Sequence, residues 1–232
     1  MSKADQAQKK LRQYLEIEKA FGFDEAPKKN PRNAFAVLQP STPSAKSEAL
    51  ARLEAEYQNC KLCPLSATRT QVVFGSGSAQ AELLFVGEAP GLDEDKQGKP
   101  FVGAAGQLLT KIIEAINLKR EDVYIANCLK CRPPENRNPS PLEIETCSPI
   151  LTKQIEIIRP TIICALGKFA AQTLLATEEP ISKLRGRFHE FNGIALMPTF
   201  HPAHLLLNPD DKKRVWQDMK QIAQKLGLPP KG

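Results

Sequence analysis

Apolar positions along this chain alternate between two spacings, and the alternation predicts the architecture. Short continuous apolar runs at Leu83–Val86, Val123–Ala126, Thr161–Ala165 and Ile194–Met197 have the length of buried strands. Helical spacing occupies Gln107–Ile116, where Leu108, Leu109, Ile112, Ile113 and Ile116 share one face, and recurs over Leu142–Ile158, Lys168–Leu175 and Val215–Leu226. A further helix is predicted over Ser47–Gln58. Strands alternating with helices predict an α/β fold, a parallel sheet covered on both faces. Such a sheet collects its functional residues at the carboxyl ends of its strands. Those ends are Gly87–Gly91, Asn127, Gly167 and His201.

Upstream the pattern changes. The first twenty residues carry Leu11, Tyr14, Leu15, Ile17 and Phe21 at helical spacing. Ala26–Pro31 and Pro40–Ser44 have the proline-rich chemistry of linkers, with the apolar island Phe35–Leu38 between them. The expected division is residues 1–44 as an N-terminal helix and linker, and 45–232 as the main domain. The island would dock on that domain or on a protein partner.

Composition narrows the class. The chain of 232 residues is 41% hydrophobic and 25% charged, as an ordinary globular protein is. Its apolar runs are too short to span a bilayer, and nothing at Met1–Asp5 resembles a signal peptide, so a cytoplasmic protein without membrane contact is expected. A formal charge of +6 favours an anionic partner.

Six cysteines in such a chain point to a metal or to catalysis rather than to disulfides. Two CxxC pairs, Cys60/Cys63 and Cys128/Cys131, precede Cys147 and Cys164. Cys128 ends a predicted buried strand, so ligands at 60, 63, 131 and 147 would leave Cys128 and Cys164 in the core. A four-thiolate site holds zinc or an iron–sulfur cluster equally well. Elsewhere, Gly87-Glu88-Ala89-Pro90-Gly91 is a sharp turn that lets a ligand approach the main chain. Pro202 forces His201 into an extended conformation. Leu205-Leu206-Leu207, bounded by Pro202 and Pro209, either packs back on the core or forms a wedge for a DNA base stack, with Leu205 and Leu206 as the candidates.

Three ordered segments, Gly87–Gly91 through Phe101-Val102-Gly103, Asn127–Arg137, and His201-Pro202 through Asn208-Pro209, together resemble family 4 uracil-DNA glycosylases. The resemblance runs from about Cys60 to the last helix. It implies a three-layer α/β/α sandwich around a four-stranded parallel sheet, and a [4Fe-4S] cluster on Cys60, Cys63, Cys131 and Cys147. It also implies that Phe101 stacks on an extruded uracil, that Asn127 bonds its O4 and N3, and that His201 donates to O2. Glu88 and Ala89 would line the pocket floor, with Glu94 crowding C5 and His201 and Glu88 as the catalytic residues. Better-known single-chain uracil glycosylases have an aspartate where this chain has Ala89, so no water-activating carboxylate is assigned.

The activity so implied is removal of uracil from DNA by a monomer, with Lys99, Arg185 and Arg187 holding phosphates. The alternative is a catalytically inactive, cluster-bearing DNA-binding or damage-sensing protein on the same fold; a zinc-stabilised interaction module rests on the CxxC pairs alone. Related uracil binders that trap DNA covalently carry a histidine near position 140, where this chain has Asn136–Ser140 and no histidine before His189. Zinc deaminases need HxE upstream of PCxxC, and here every histidine follows every cysteine.

Overall fold

The computed structural model describes residues 43–229. The helix expected over the first twenty residues, the 35–38 island and nearly all of the 1–44 segment lie outside them. The described helices are α1 (Pro43–Tyr57), α2 (Leu92–Gln97), α3 (Ala104–Ala115), α4 (Pro141–Ile158), α5 (Gly167–Leu175), α6 (Ile181–Leu184), α7 (Pro202–Leu207) and α8 (Lys212–Lys225). The strands are β1 (Ser76–Gly77), β2 (Leu83–Gly87), β3 (Tyr124–Asn127), β4 (Ile162–Leu166), β5 (His189–Phe191) and β6 (Ile194–Thr199), in the order β1-β3-β2-β4-β6-β5.

The four long strands β3-β2-β4-β6 are parallel neighbours. The sheet is nevertheless six-stranded and mixed, which corrects the four-stranded parallel sheet expected from the sequence. β1 and β5 add antiparallel edges of two and three residues. Edges this short and only half covered need no apolar run, so no periodicity announces them.

Alternation along the strands builds two cores. On one face Leu84, Val86, Ala126, Ile163, Ala165 and Leu196 pack with Leu50 and Leu53 of α1, with Ile150, Leu151 and Ile155 of α4, and with Leu174 of α5. On the opposite face Leu83, Phe85, Ile125, Ile162, Cys164 and Met197 meet Leu109 and Ile113 of α3 and Val215, Met219 and Ile222 of α8. The result is three layers, helices on both faces of the sheet. Among the described residues no helix is long and apolar enough to cross a membrane.

β2 is the switch point, because its parallel neighbours β3 and β4 lie on opposite sides of it. Connections leaving in opposite directions open a crevice at the carboxyl end of such a strand. The crevice here begins at Gly87. One of its walls is anchored by the start of α4, where Ser140 and Glu143 form a reciprocal cap and Arg137 pairs with Glu143 at 2.6 Å.

Candidate active site

A pocket of about 310 Å3 opens at the carboxyl ends of β2 and β3. Glu88, Ala89, Glu94, Phe101, Asn127 and His201, the six candidates for base binding, all line it. Pro133, Asn136 and Arg137 line it too, from a loop in which Glu135 and Asn136 both adopt φ of 55°. Their motif is visible in the sequence, but nothing in it says that the loop folds over the pocket.

Asn127 is the last residue of β3 and pairs in register with Gly87. A Cβ at Gly87 would collide with Asn127 Oδ1 and with the Phe101 ring, so glycine leaves the space in which the two side chains meet. Asn127 is 1% exposed, and its Oδ1 has no hydrogen-bond partner. An unpaired buried polar group of this kind costs about 1–3 kcal/mol. The pocket therefore holds an acceptor ready for a ligand N–H. From behind, Lys130 Nζ donates to the Asn127 carbonyl at 2.9 Å.

Phe101 is buried, with its ring centroid 5.5 Å from that of His201. Its backbone is left-handed, with φ of 52°, a conformation that costs an aromatic residue about 1–3 kcal/mol. Glu94 helps to hold it. Its carboxylate accepts from the amides of Gly91 at 3.1 Å, Val102 at 2.8 Å and Gly103 at 3.0 Å. Glu94 thus lines the pocket while its oxygens are engaged with the loop, which gives it a holding role beside the expected crowding of C5.

His201 caps α7 with φ −66° and ψ 140°, the extended geometry that Pro202 requires. The Ala203 amide donates to His201 Nδ1 at 3.1 Å. A neutral ring with an acceptor Nδ1 carries its proton on Nε2. Burial lowers the pKa to about 4, against an opposing pull from Glu94, so the ring is neutral at pH 7. Burial raises the pKa of Glu88, and Lys168 draws it back down.

The residues proposed to meet DNA divide. Leu205 is 1% exposed and turns from α7 into the core shared with α3 and α8, so the structure removes it as a wedge candidate. The segment expected to be a loop is helical, and its inner face needs an apolar residue. Leu206 and Leu207 are exposed at 48% and 84%. Lys99 and Arg187 are exposed. Arg185 is instead tied to buried Asp218 at 2.7 Å and to the Arg214 carbonyl at 2.6 Å, and its guanidinium covers the Phe200 ring. Its charge is committed to the fold.

Cys60, Cys63, Cys131 and Cys147 line one small cavity together with Tyr57, Val72 and Ile150. Cys128 and Cys164 are fully buried in the two cores, outside that cavity. Arg69 Nη1 donates to Cys131 Sγ at 3.2 Å, and the Lys130 amide to Cys147 Sγ at 3.3 Å. Donors of this kind stabilise thiolates and tune iron–sulfur clusters. Burial pushes Cys131 up to about 11, and Arg69 opposes that rise. Among the described residues no three ligating side chains close on a single metal ion. Four thiols around one cavity, two of them accepting N–H bonds, fit a four-thiolate cluster.

The model of the uracil DNA glycosylase superfamily matches residues 74–220. A type-4 uracil-DNA glycosylase of Archaeoglobus fulgidus is 44% identical over 188 residues, 78% of this chain and 94% of that protein. One of Saccharolobus solfataricus is 46% identical over 184 residues, 75% of this chain and 85% of that protein. One of Thermotoga maritima is 43% identical over 171 residues, 73% of this chain and 89% of that protein. On this extent of identity the chain belongs to the uracil DNA glycosylase superfamily, among the type-4 uracil-DNA glycosylases.

Proposed function

We propose that this chain excises uracil from DNA, hydrolysing the C1′–N1 bond of an extruded nucleotide and leaving an abasic site. The observation that carries the reading is the partnerless Asn127 Oδ1, buried in a pocket beside Phe101 and a neutral His201. Uracil N3–H supplies the missing donor, and the same amide returns a hydrogen bond to O4. Phe101 stacks on the ring. His201 Nε2–H donates to O2, where negative charge gathers as the bond breaks. One such donor is worth about 3–4 kcal/mol to a transition state. Glu88 faces the developing sugar cation from the pocket wall. Water then adds at C1′, its proton leaves, and N1 of the uracil anion is protonated.

Ala89 supplies no carboxylate, so catalysis rests on stabilising the leaving group and on positioning. Extrusion from a duplex costs roughly a few kcal/mol, and Leu206 and Leu207, both exposed, would fill the gap that the base leaves. Lys99 and Arg187 hold phosphates. A [4Fe-4S] cluster on Cys60, Cys63, Cys131 and Cys147 would tie the Cys60–Cys63 segment to Cys131 and to Cys147 of α4, a structural contribution. We further infer a monomer acting in the cytoplasm.

The test is incubation of purified protein with oligonucleotides carrying a single uracil, thymine or cytosine, followed by alkaline cleavage of abasic sites. Cleavage at uracil alone is the expected result. Intact uracil strands at high enzyme concentration, with DNA still bound, would favour a damage-sensing protein instead.

A further inference from the structure

The left-handed backbone of Phe101 is gripped from two sides, and one grip comes from a residue outside the pocket lining. Arg120 sits in the turn between α3 and β3, half-buried. Its Nη2 donates to the carbonyls of Pro100 at 2.7 Å and Phe101 at 2.9 Å. Its Nη1 donates to Thr110 Oγ1 at 3.1 Å, and Thr110 donates in turn to the Gly106 carbonyl at 3.2 Å. The guanidinium thus ties two consecutive carbonyls to helix α3. On the far flank Glu94 takes the amides of Val102 and Gly103. Gly106 closes the arrangement, because a Cβ there would collide with the Phe101 carbonyl.

We propose that Arg120 is a positioning residue for uracil excision: its Nη2 holds the Pro100 and Phe101 carbonyls while its Nη1 is anchored on Thr110, and the pair of contacts sets the Phe101 ring against the extruded base. The proposal rests on the reading of Phe101 as the stacking residue. Burial of the guanidinium works against its charge, and the opposite charge of Glu94 across the loop offsets part of that cost. Lysine is a poor substitute, since its single nitrogen must replace both Nη2 on the loop and Nη1 on Thr110, which the rigid guanidinium spans.

Single-turnover excision by Arg120→Lys, Arg120→Gln, Thr110→Val and Phe101→Ala tests this, alongside affinity for a duplex bearing a tetrahydrofuran abasic analogue, inhibition by free uracil, and thermal stability. Arg120→Gln is expected to slow excision by about 10- to 100-fold, the range that a misplaced group can cost. Arg120→Lys should fall between it and the wild type, and Thr110→Val should lose less. All three should bind the abasic analogue as the wild type does and be inhibited less by free uracil. Arg120→Lys and Thr110→Val carry the test if Arg120→Gln does not fold. Wild-type rates in both Arg120→Lys and Arg120→Gln, with Phe101→Ala slow, would overturn the positioning role and leave the stacking intact. Losses that track melting temperature and vanish on cooling would also overturn it, as those of a merely structural residue. A wild-type rate in Phe101→Ala would instead overturn the stacking assignment itself.

Discussion

His201 enters the pocket as a neutral imidazole because burial lowers its pKa and the Ala203 amide occupies Nδ1. The neutral ring is complete well above pH 4; as pH falls through about 4, Nδ1 takes a proton and can no longer accept from the Ala203 amide that seats the ring. Excision at saturating enzyme is therefore expected to stay flat from about pH 8 down to about 5 and to fall below it. A fall centred near 6.5, the ordinary histidine value, would contradict the assignment. Stability follows the same sign. The folded pKa lies below the unfolded one, so this contribution is full above pH 6.5 and declines as pH falls towards about 4. The sequence made His201 legible, since Pro202 fixes its backbone. Its tautomer was not legible, because that depends on an amide placed by the first turn of α7. Arg120 was missed for a similar reason: a lone arginine in a turn looks like any solvated charge until the fold brings the Phe101 carbonyl to it.

At the scale of the element, α7 shows what periodicity can and cannot give. Three successive leucines between two prolines read equally well as an exposed loop or a buried turn. Pro202 at the first helical position starts a helix, and consecutive residues of a helix face different directions. Only the packing of α3 and α8 decides that Leu205 turns inward. Leu205→Ala is accordingly expected to destabilise the protein by about 2–5 kcal/mol in denaturant unfolding. Leu206→Ala and Leu207→Ala should leave stability near wild type and slow excision from duplex more than from single-stranded DNA. Equal losses on the two substrates would show that these leucines do not wedge. The long strands and helices were legible because each buries a continuous face. The edges β1 and β5 were not, since two or three half-covered residues leave no pattern.

Over the whole molecule, the switch at β2 brings together residues far apart in the chain, from Glu88 to His201, while the cysteine cavity gathers thiols from both sides of β2 in the sequence. Strand ends were readable as the place for a site, and the cysteine spacing brought four of the thiols to one cavity. The choice of metal was not readable, because zinc and a cluster ask for the same thiolates. Substituting Cys60, Cys63, Cys131 or Cys147 is expected to reduce iron content of protein purified anaerobically, whereas Cys128→Ala and Cys164→Ala should retain it. Zinc in place of iron in the wild-type protein from iron-replete cells would refute the cluster.

Whether Asn127 reads the base is tested by the single-turnover rate of Asn127→Asp on uracil- and cytosine-containing oligonucleotides. The amide accepts from uracil N3–H and donates to O4; the carboxylate loses that donor and leaves O4 facing a negative charge. Each unmet buried group costs about 1–3 kcal/mol, and sites built around hydrogen bonds discriminate strongly when a partner is missing. Uracil excision should fall by at least about tenfold, with iron content and thermal stability near wild type. Uracil removal at an unchanged rate would show that Asn127 does not read the base, and the pocket would have to be reassigned.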